Sequence, residues 1–142
     1  MNGSVGERTD PPDPETSASL ELLVVDDDEQ ILELLERYLS GLGCRVATAG
    51  EMEEAVALLE NRRYDVVITD LGLTRFGRAE GVDVVTRARY RWPDLRIIVL
   101  TGIPDPQIRE ACFEAGADVF MRKPPSLPEL AEAVFAVDRP AS

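Results

Sequence analysis

Five polar side chains follow short apolar runs of the sequence, and all five have chemistry suited to a phosphoryl group. The carboxylates of Asp26, Asp27 and Asp70 come directly after two such runs, Thr101 follows another, and Lys123 closely follows the last. Neighbouring carboxylates favour a bound cation, and their oxygens suit Mg²⁺. One of them could act as a nucleophile and form an aspartyl phosphate. An ammonium and a hydroxyl would then neutralise and hydrogen-bond the oxygens of the transferred group.

The segments between these residues alternate between strand and helix patterns. Strands are predicted at 20–25, 45–49, 65–69, 96–100 and 118–121. Helices are predicted at 29–42, 52–62, 82–90, 106–115 and 128–137. Short apolar runs joined by amphipathic crossovers predict a parallel α/β sheet with helices on both faces, a three-layer (βα)5 sandwich. The flavodoxin-like strand order 2-1-3-4-5 is taken from the fold class, and it brings the polar side chains to one edge of the sheet.

One domain is expected, because 142 residues leave no room for a second of useful size. We expect a disordered acidic, proline-rich tail at 1–19, the domain at 20–138 and a short C-terminal tail at 139–142. A glycine-containing loop is predicted at 71–81. Since the chain ends about a dozen residues after the fifth helix begins, we expect a stand-alone domain without an output domain.

Composition excludes several classes of function. The net charge of −12 argues against direct nucleic-acid binding, and the basic cluster 87–96 is interpreted as a solvated helix face. The absence of histidine excludes a phosphohistidine of its own, so another molecule must donate any phosphoryl group. With no secretory signal and no membrane-length apolar segment, a cytoplasmic protein is expected. Cys44 and Cys112 are predicted to be buried or half-buried free thiols.

Each polar residue also has an ordinary structural explanation. Residues 26–28 could simply cap the first helix, Asp70 could be a turn residue, and Lys123 could be a solvated strand end. Their joint placement at strand ends is what favours a shared site.

Several motifs together give the chain a family resemblance. They are Val-Val-Asp-Asp-Asp at 24–28, Asp-Val-Val-Ile-Thr-Asp-Leu at 65–71, Ile-Val-Leu-Thr-Gly at 98–102, and Ala-Gly-Ala-Asp at 115–118 leading to Lys123-Pro124. From about 20 to 137 the chain resembles the CheY-like receiver domain of response regulators in bacterial two-component signalling.

The resemblance implies roles for the acidic residues. Asp70 would be the phospho-acceptor. Asp26 and Asp27 would hold Mg²⁺ together with Asp70, Asp27 more directly, and the backbone carbonyl of Gly72 would complete the protein ligands.

It also implies roles for residues from the last two strands. Thr101 and Lys123 would bind the phosphoryl oxygens, Gly102 leaves room for the group to approach, and the Lys123–Pro124 bond would be cis. Phe120 is at the aromatic switch position of the family, and it is equally well explained as an ordinary buried strand residue.

Partners follow from the same resemblance. The donor would be a sensor histidine kinase or a histidine phosphotransfer protein. The face formed by the fourth helix, fifth strand and fifth helix would contact a downstream protein, or a second copy in a homodimer. The domain would be no enzyme beyond catalysing its own phosphoryl transfer and a slow autodephosphorylation.

Two departures from the family pattern stand near the acceptor. Thr74 replaces a common proline, and the stretch 70–81 is about three residues longer than usual. Because the side chains of Gly72 and Ile103 cannot hydrogen-bond an attacking water, we hypothesise slow autodephosphorylation.

Other classes of function fit less well. A haloacid-dehalogenase-type phosphatase could use Asp26 and Asp28, but Gln30 is present where a threonine is needed, and the chain is too short for the usual cap. A nucleotide-binding module lacks its glycine-rich turn. A non-phosphorylated pseudo-receiver that binds proteins stays open, because the loop at 71–81 is altered.

Overall fold

The structure is a computed structural model that describes residues 19–71, 78–102 and 105–136, with the backbone alone at 78–80. Its strands are β1 (Glu21–Val25), β2 (Arg45–Ala49), β3 (Val66–Asp70), β4 (Arg96–Thr101) and β5 (Val119–Arg122). Its helices are α1 (Glu29–Gly41), α2 (Met52–Asn61), α3 (Arg78–Arg91), α4 (Pro106–Ala115) and α5 (Leu127–Phe135). Residues 1–18 of the predicted N-terminal tail and the predicted C-terminal tail 139–142 lie outside the described residues, as do Gly72, Thr74 and Ile103.

All five strands pair in parallel in the order β2-β1-β3-β4-β5, which confirms the flavodoxin-like α/β fold. Alternate residues of each central strand enter one of two cores. Leu23 and Val67 belong to the core under α2, α3 and α4, whereas Leu22 and Val66 belong to the core under α1 and α5. Helices therefore cover both faces of the sheet. Side chains from different strands can meet in the open only at the ends of the strands.

Side-chain caps fix where three of the helices begin. Asp28 and Asp105 each accept hydrogen bonds from the two backbone N–H groups that follow at the start of α1 and α4. Ser126, the predicted cap of α5, accepts a hydrogen bond from the Glu129 N–H at 3.4 Å. These bonds satisfy donors that a helix leaves without a partner.

Helix α3 is the element whose prediction was wrong, because it begins at Arg78 rather than at Val82. The sequence pattern places Gly81 at the end of the loop, whereas the structure places it inside the helix. A methyl group there would meet the Leu71 carbonyl oxygen at 2.8 Å. The glycine therefore allows close packing of α3 on the chain just after β3, which outweighs its poor helix propensity. The other elements begin and end within two residues of their predicted bounds.

The basic cluster 87–96 is not simply a solvated helix face. The Arg89 guanidinium donates hydrogen bonds to the carbonyl oxygens of Gly116 and Pro93 and to the Asp118 carboxylate. Gly116 ends α4 with φ 121°, and a Cβ there would lie 2.7 Å from Cγ of Arg89. The hydrogen bonds of Arg89 thus link the end of α3 to the turn between α4 and β5.

Both thiols are free and buried, as predicted. Within the described residues, no helix is long and apolar enough to cross a membrane.

Candidate functional site

The structure brings the five predicted side chains to the carboxyl edge of the sheet. Asp70 ends β3, Thr101 ends β4, and Asp26 and Asp27 directly follow β1. The backbone N–H of Lys123, just after β5, donates to the carbonyl oxygen of Thr101 at 2.8 Å. Because β1, β3, β4 and β5 are parallel, their carboxyl ends lie side by side and these groups are close together.

Lys123 lies between two of the carboxylates. Its Nζ is 2.8 Å from Oδ2 of Asp26 and 3.0 Å from Oδ2 of Asp70. Asp26 and Asp70 are only 1% and 5% exposed, and the Lys123 side chain is 19% exposed. Two buried negative charges are tolerated there because one cation contacts both of them.

The surroundings shift the pKa of both members of the Asp26–Lys123 pair upwards. Burial raises the pKa of Asp26, and the contact with Lys123 and a backbone hydrogen bond from Asp28 only partly offset this. Burial lowers the pKa of Lys123, but its bonds to Asp26 and Asp70 outweigh burial, so its pKa is raised. The ammonium therefore stays protonated at neutral pH and holds a fixed positive charge beside Asp70.

The residues present fit a hard divalent cation. Asp26, Asp27 and Asp70 each offer a carboxylate oxygen, and these oxygens all lie within 4.8 Å of one another. Three carboxylates against the one Lys123 leave an excess of negative charge, and Mg²⁺ prefers oxygen ligands. Asp27 is exposed, so the site is open to solvent on one side. Gly72, the expected fourth ligand, lies outside the described residues.

The other predicted site residues also lie at or near this edge. Thr101 is buried beside Lys123, and Gly102 is exposed, with no atom within 4 Å of the position that a Cβ would occupy. Phe120 is half-buried in β5, 6.3 Å from the Phe113 ring of α4, which fits both interpretations of that residue. The Lys123–Pro124 bond is cis.

Sequence reasoning missed a second use of the acidic run at 26–28. The sequence allows either helix capping or site formation for this run, and the structure divides these two roles between different residues. Asp28 caps α1, and its own backbone N–H donates to Oδ1 of Asp26 at 2.9 Å. The cap therefore also orients a carboxylate of the site, and the signal was the direct adjacency of a capping residue to the strand end.

The sequence also does not predict the buried environment of the Thr69 hydroxyl. This residue precedes the acceptor in β3, is 2% exposed, and its hydroxyl has no hydrogen-bond partner among the described residues. Nothing in an apolar strand pattern distinguishes a threonine with a bonded hydroxyl from one without.

Comparisons with known proteins agree with this geometry. The model of the response regulator receiver domain family matches residues 22–135. The response regulator MprA of Mycobacterium sp. (strain KMS) is 38% identical over 121 residues, which cover 85% of this chain and 51% of that protein. The chain thus spans about half the length of the curated relatives it matches. A cyclic di-GMP phosphodiesterase of Thermotoga maritima is 36% identical over 75% of this chain and 27% of its own length.

Solved structures match the fold. A receiver domain protein (CheY-like) from Methanospirillum hungatei has a TM-score of 0.79 at 26% identity, covering 85% of this chain and 95% of that one. A response regulator from Burkholderia pseudomallei, solved with a phosphorylated aspartic acid, a calcium ion and citrate, has a TM-score of 0.75 at 28% identity, covering 82% and 66%. With its strand order, its acidic cluster and these matches, the chain belongs to the response regulator receiver domain family.

Proposed function

We propose that Asp70 accepts a phosphoryl group from a phosphohistidine of a sensor kinase or histidine phosphotransfer protein. The observation that carries this proposal is the position of Lys123, whose ammonium contacts both Asp70 and Asp26 at a solvent-open edge of the sheet. The phosphorylated aspartic acid in the related Burkholderia pseudomallei protein supports the same chemistry.

The transfer is a substitution at phosphorus. A carboxylate oxygen of Asp70 bonds to phosphorus while the P–N bond to the donor imidazole breaks, and the bonding electron pair leaves with that nitrogen. Lys123 neutralises charge on the phosphoryl oxygens, and the Thr101 hydroxyl donates a hydrogen bond to one of them. Asp26, Asp27 and Asp70, with the Gly72 carbonyl, would hold Mg²⁺, which supplies further charge neutralisation when bound.

The signal would leave through the α4-β5-α5 face. Phe120 in β5 packs against Phe113, which is 37% exposed on α4, and Phe135 on α5 is 41% exposed. A change in the Phe120 rotamer would therefore alter a partly apolar surface. We propose this face as the docking surface for a separate downstream protein in the cytoplasm. We also propose this face for a homodimer; the related NtrC4 receiver domain, solved as a beryllofluoride-activated dimer, supports dimer formation but not the choice of face.

The proposal is tested by incubating the chain with acetyl phosphate and Mg²⁺ and measuring intact mass. Wild type should gain one phosphoryl group, Asp70→Ala should gain none, and chelating the metal should abolish the gain. Asp94→Ala, which removes a 90% exposed carboxylate away from the site, should behave like wild type.

Failure of wild type to gain mass, together with failure to bind beryllofluoride, would instead favour a pseudo-receiver that binds proteins without being phosphorylated. The decay of the phosphorylated form tests slow autodephosphorylation: Gly72→Asn or Ile103→Asn should accelerate it, and an unchanged decay would contradict that hypothesis.

A further inference from the structure

A group of arginines and aromatic rings lies at the opposite end of the molecule from Asp70. We name it the arginine surface and define it by Arg62, Arg63, Arg91 and Trp92, with Tyr90 beside it. Arg62 follows α2 and Arg91 ends α3, so the surface lies near the amino ends of the strands. Tyr90 is 89% exposed. The proposed phosphoryl transfer uses none of these residues.

Two guanidinium groups share one ring of this surface. The central carbon of Arg91 lies 4.0 Å from the centroid of Trp92, and that of Arg63 lies 5.6 Å from it. The indole N–H donates to the Leu59 carbonyl oxygen at 2.6 Å, which fixes the ring. Each cation is attracted by the ring, but the two like charges repel each other unless an anion is close.

The surrounding carboxylates only partly neutralise this charge. Glu21 pairs with Arg62 and also with Arg45, each at 3.1 Å. Among the described residues, the carboxylate contact of Arg63 is a 4.0 Å contact with the 90% exposed Asp94. No ion pair joins Arg91 to a carboxylate within the described parts of the chain. Within the described residues, the ion pairs of Arg45, Arg62 and Arg63 involve the carboxylates of Glu21 and Asp94, and the Asp65 carboxylate accepts a hydrogen bond from the Glu21 N–H.

We infer that residues 1–18 of this chain dock on the arginine surface through their carboxylates. That segment contains Glu7, Asp10, Asp13 and Glu15 against a single arginine. Its charge is complementary to that of the arginine surface. Other acidic segments share this complementarity, and the point of attachment of residues 1–18 is what favours them.

The segment joins the described chain at Ser19, two residues before Glu21, whose carboxylate already contacts Arg62 at 3.1 Å. Asp10 to Glu15 lie four to nine residues before Ser19, which gives them a reach of roughly 13–30 Å. A short tether supplies an effective concentration of about a millimolar, so half occupancy requires contacts with a dissociation constant of about 1 mM.

The test uses the full chain and its single tryptophan, Trp92, whose fluorescence reports on the arginine surface alone. Acrylamide, a neutral quencher, is titrated into wild type and into a variant with the four tail carboxylates replaced by amides. At about 10 mM salt the quenching constant should be about twofold higher in the variant, and at about 1 M salt the two should agree, because salt screens the ion pairs.

A matched control neutralises four exposed carboxylates on the opposite face of the sheet, namely Glu33, Glu36, Glu129 and Glu132. This control changes the net charge equally and should leave Trp92 quenching as in wild type. In an Arg63→Gln, Arg91→Gln background, neutralising the tail should have no further effect, because the two sets of changes then remove the same contact.

Equal quenching of wild type and the tail variant at low salt would overturn the proposal. So would an equal effect of the control, which would mean a response to net charge alone. Protection of Trp92 that grows with protein concentration would assign the surface to a second copy instead.

Discussion

Gly81 of α3 lies directly against the backbone of Leu71, the residue after the proposed acceptor. A Cβ at Gly81 would meet the Leu71 carbonyl oxygen at 2.8 Å and its Cδ1 at 2.9 Å. The backbone oxygen cannot move aside as the end of a flexible side chain could. The packing of α3 and the position of the chain that leaves β3 are therefore set together at this contact.

Gly81→Ala should destabilise the fold by about 1–3 kcal/mol, because the clash outweighs the better helix propensity of alanine. Gly41→Ala is the matched control, since an added Cβ meets nothing within 4 Å at that position of α1. It should be neutral or stabilise by up to about 1 kcal/mol. Urea unfolding measures both, and equal effects of the two changes would contradict the contact.

Asp27→Asn should weaken Mg²⁺ binding at least about 10-fold, because it removes one carboxylate of the acidic cluster. Asp28→Asn changes the same charge one residue away and keeps the α1 cap, since asparagine caps helices as well as aspartate does. Its Mg²⁺ affinity should fall less than about threefold. Isothermal titration calorimetry compares the two variants, and equal losses would mean that Asp27 acts only through general charge.

Lys123→Met should cost about 2–4 kcal/mol of folding free energy, because it leaves Asp26 and Asp70 buried without their shared cation. Added Mg²⁺ should raise the melting temperature of this variant more than that of wild type. Arg122→Met, at the exposed neighbouring position, should change stability by less than about 0.5 kcal/mol. Thermal unfolding with and without Mg²⁺ tests this, and a smaller Mg²⁺ effect in Lys123→Met would contradict it.

Thr69→Val should stabilise the protein by about 1 kcal/mol, because it replaces a buried hydroxyl without a partner among the described residues by a methyl group of similar size. Thr86→Val is the control, since its hydroxyl donates to the Val82 carbonyl oxygen at 3.2 Å. That change should be neutral or destabilise by about 0.5 kcal/mol. Chemical denaturation gives both values, and destabilisation by Thr69→Val would show that its hydroxyl has a partner.

Cys44 should react slowly with thiol reagents, because burial raises its pKa to about 11. At pH 9 about 1% of such a thiol is ionised, against about half of a free thiol, so its reaction in a Cys112→Ser background should be at least about 50-fold slower than in the unfolded chain. Stability from the protonated thiol is fully present below about pH 9 and is lost as pH rises towards 11. Absorbance with a disulfide reagent measures the rate, and a rate like that of free cysteine would refute the burial.

Much of the fold could be predicted because its buried strands are almost wholly apolar. Runs such as 22–25 and 97–100, separated by amphipathic stretches, predict a parallel sheet covered on both faces. The start of α3 could not be predicted, because a sequence does not show that Gly81 lies where a Cβ has no room. The strand order came from the fold class, and the structure confirms it.

For the site, the sequence predicts only that these residues lie at the ends of strands. The types of Asp26, Asp70 and Lys123 indicate charge neutralisation, but their pairing depends on distances across the sheet. The hydrogen bonds of Arg89 were not predictable at all, because their main acceptors are backbone carbonyls, which carry no sequence signal.

The cation of this site comes from the chain segment after the last strand, 53 residues beyond Asp70. During synthesis, the acidic ends of β1 and β3 therefore leave the ribosome well before the ammonium that neutralises them. The ammonium reaches them only when β5 has paired with β4, and that late, non-local pairing completes the site. A chain that has not finished folding thus lacks the arrangement that a phosphoryl donor would encounter, which ties competence for signalling to completion of the fold.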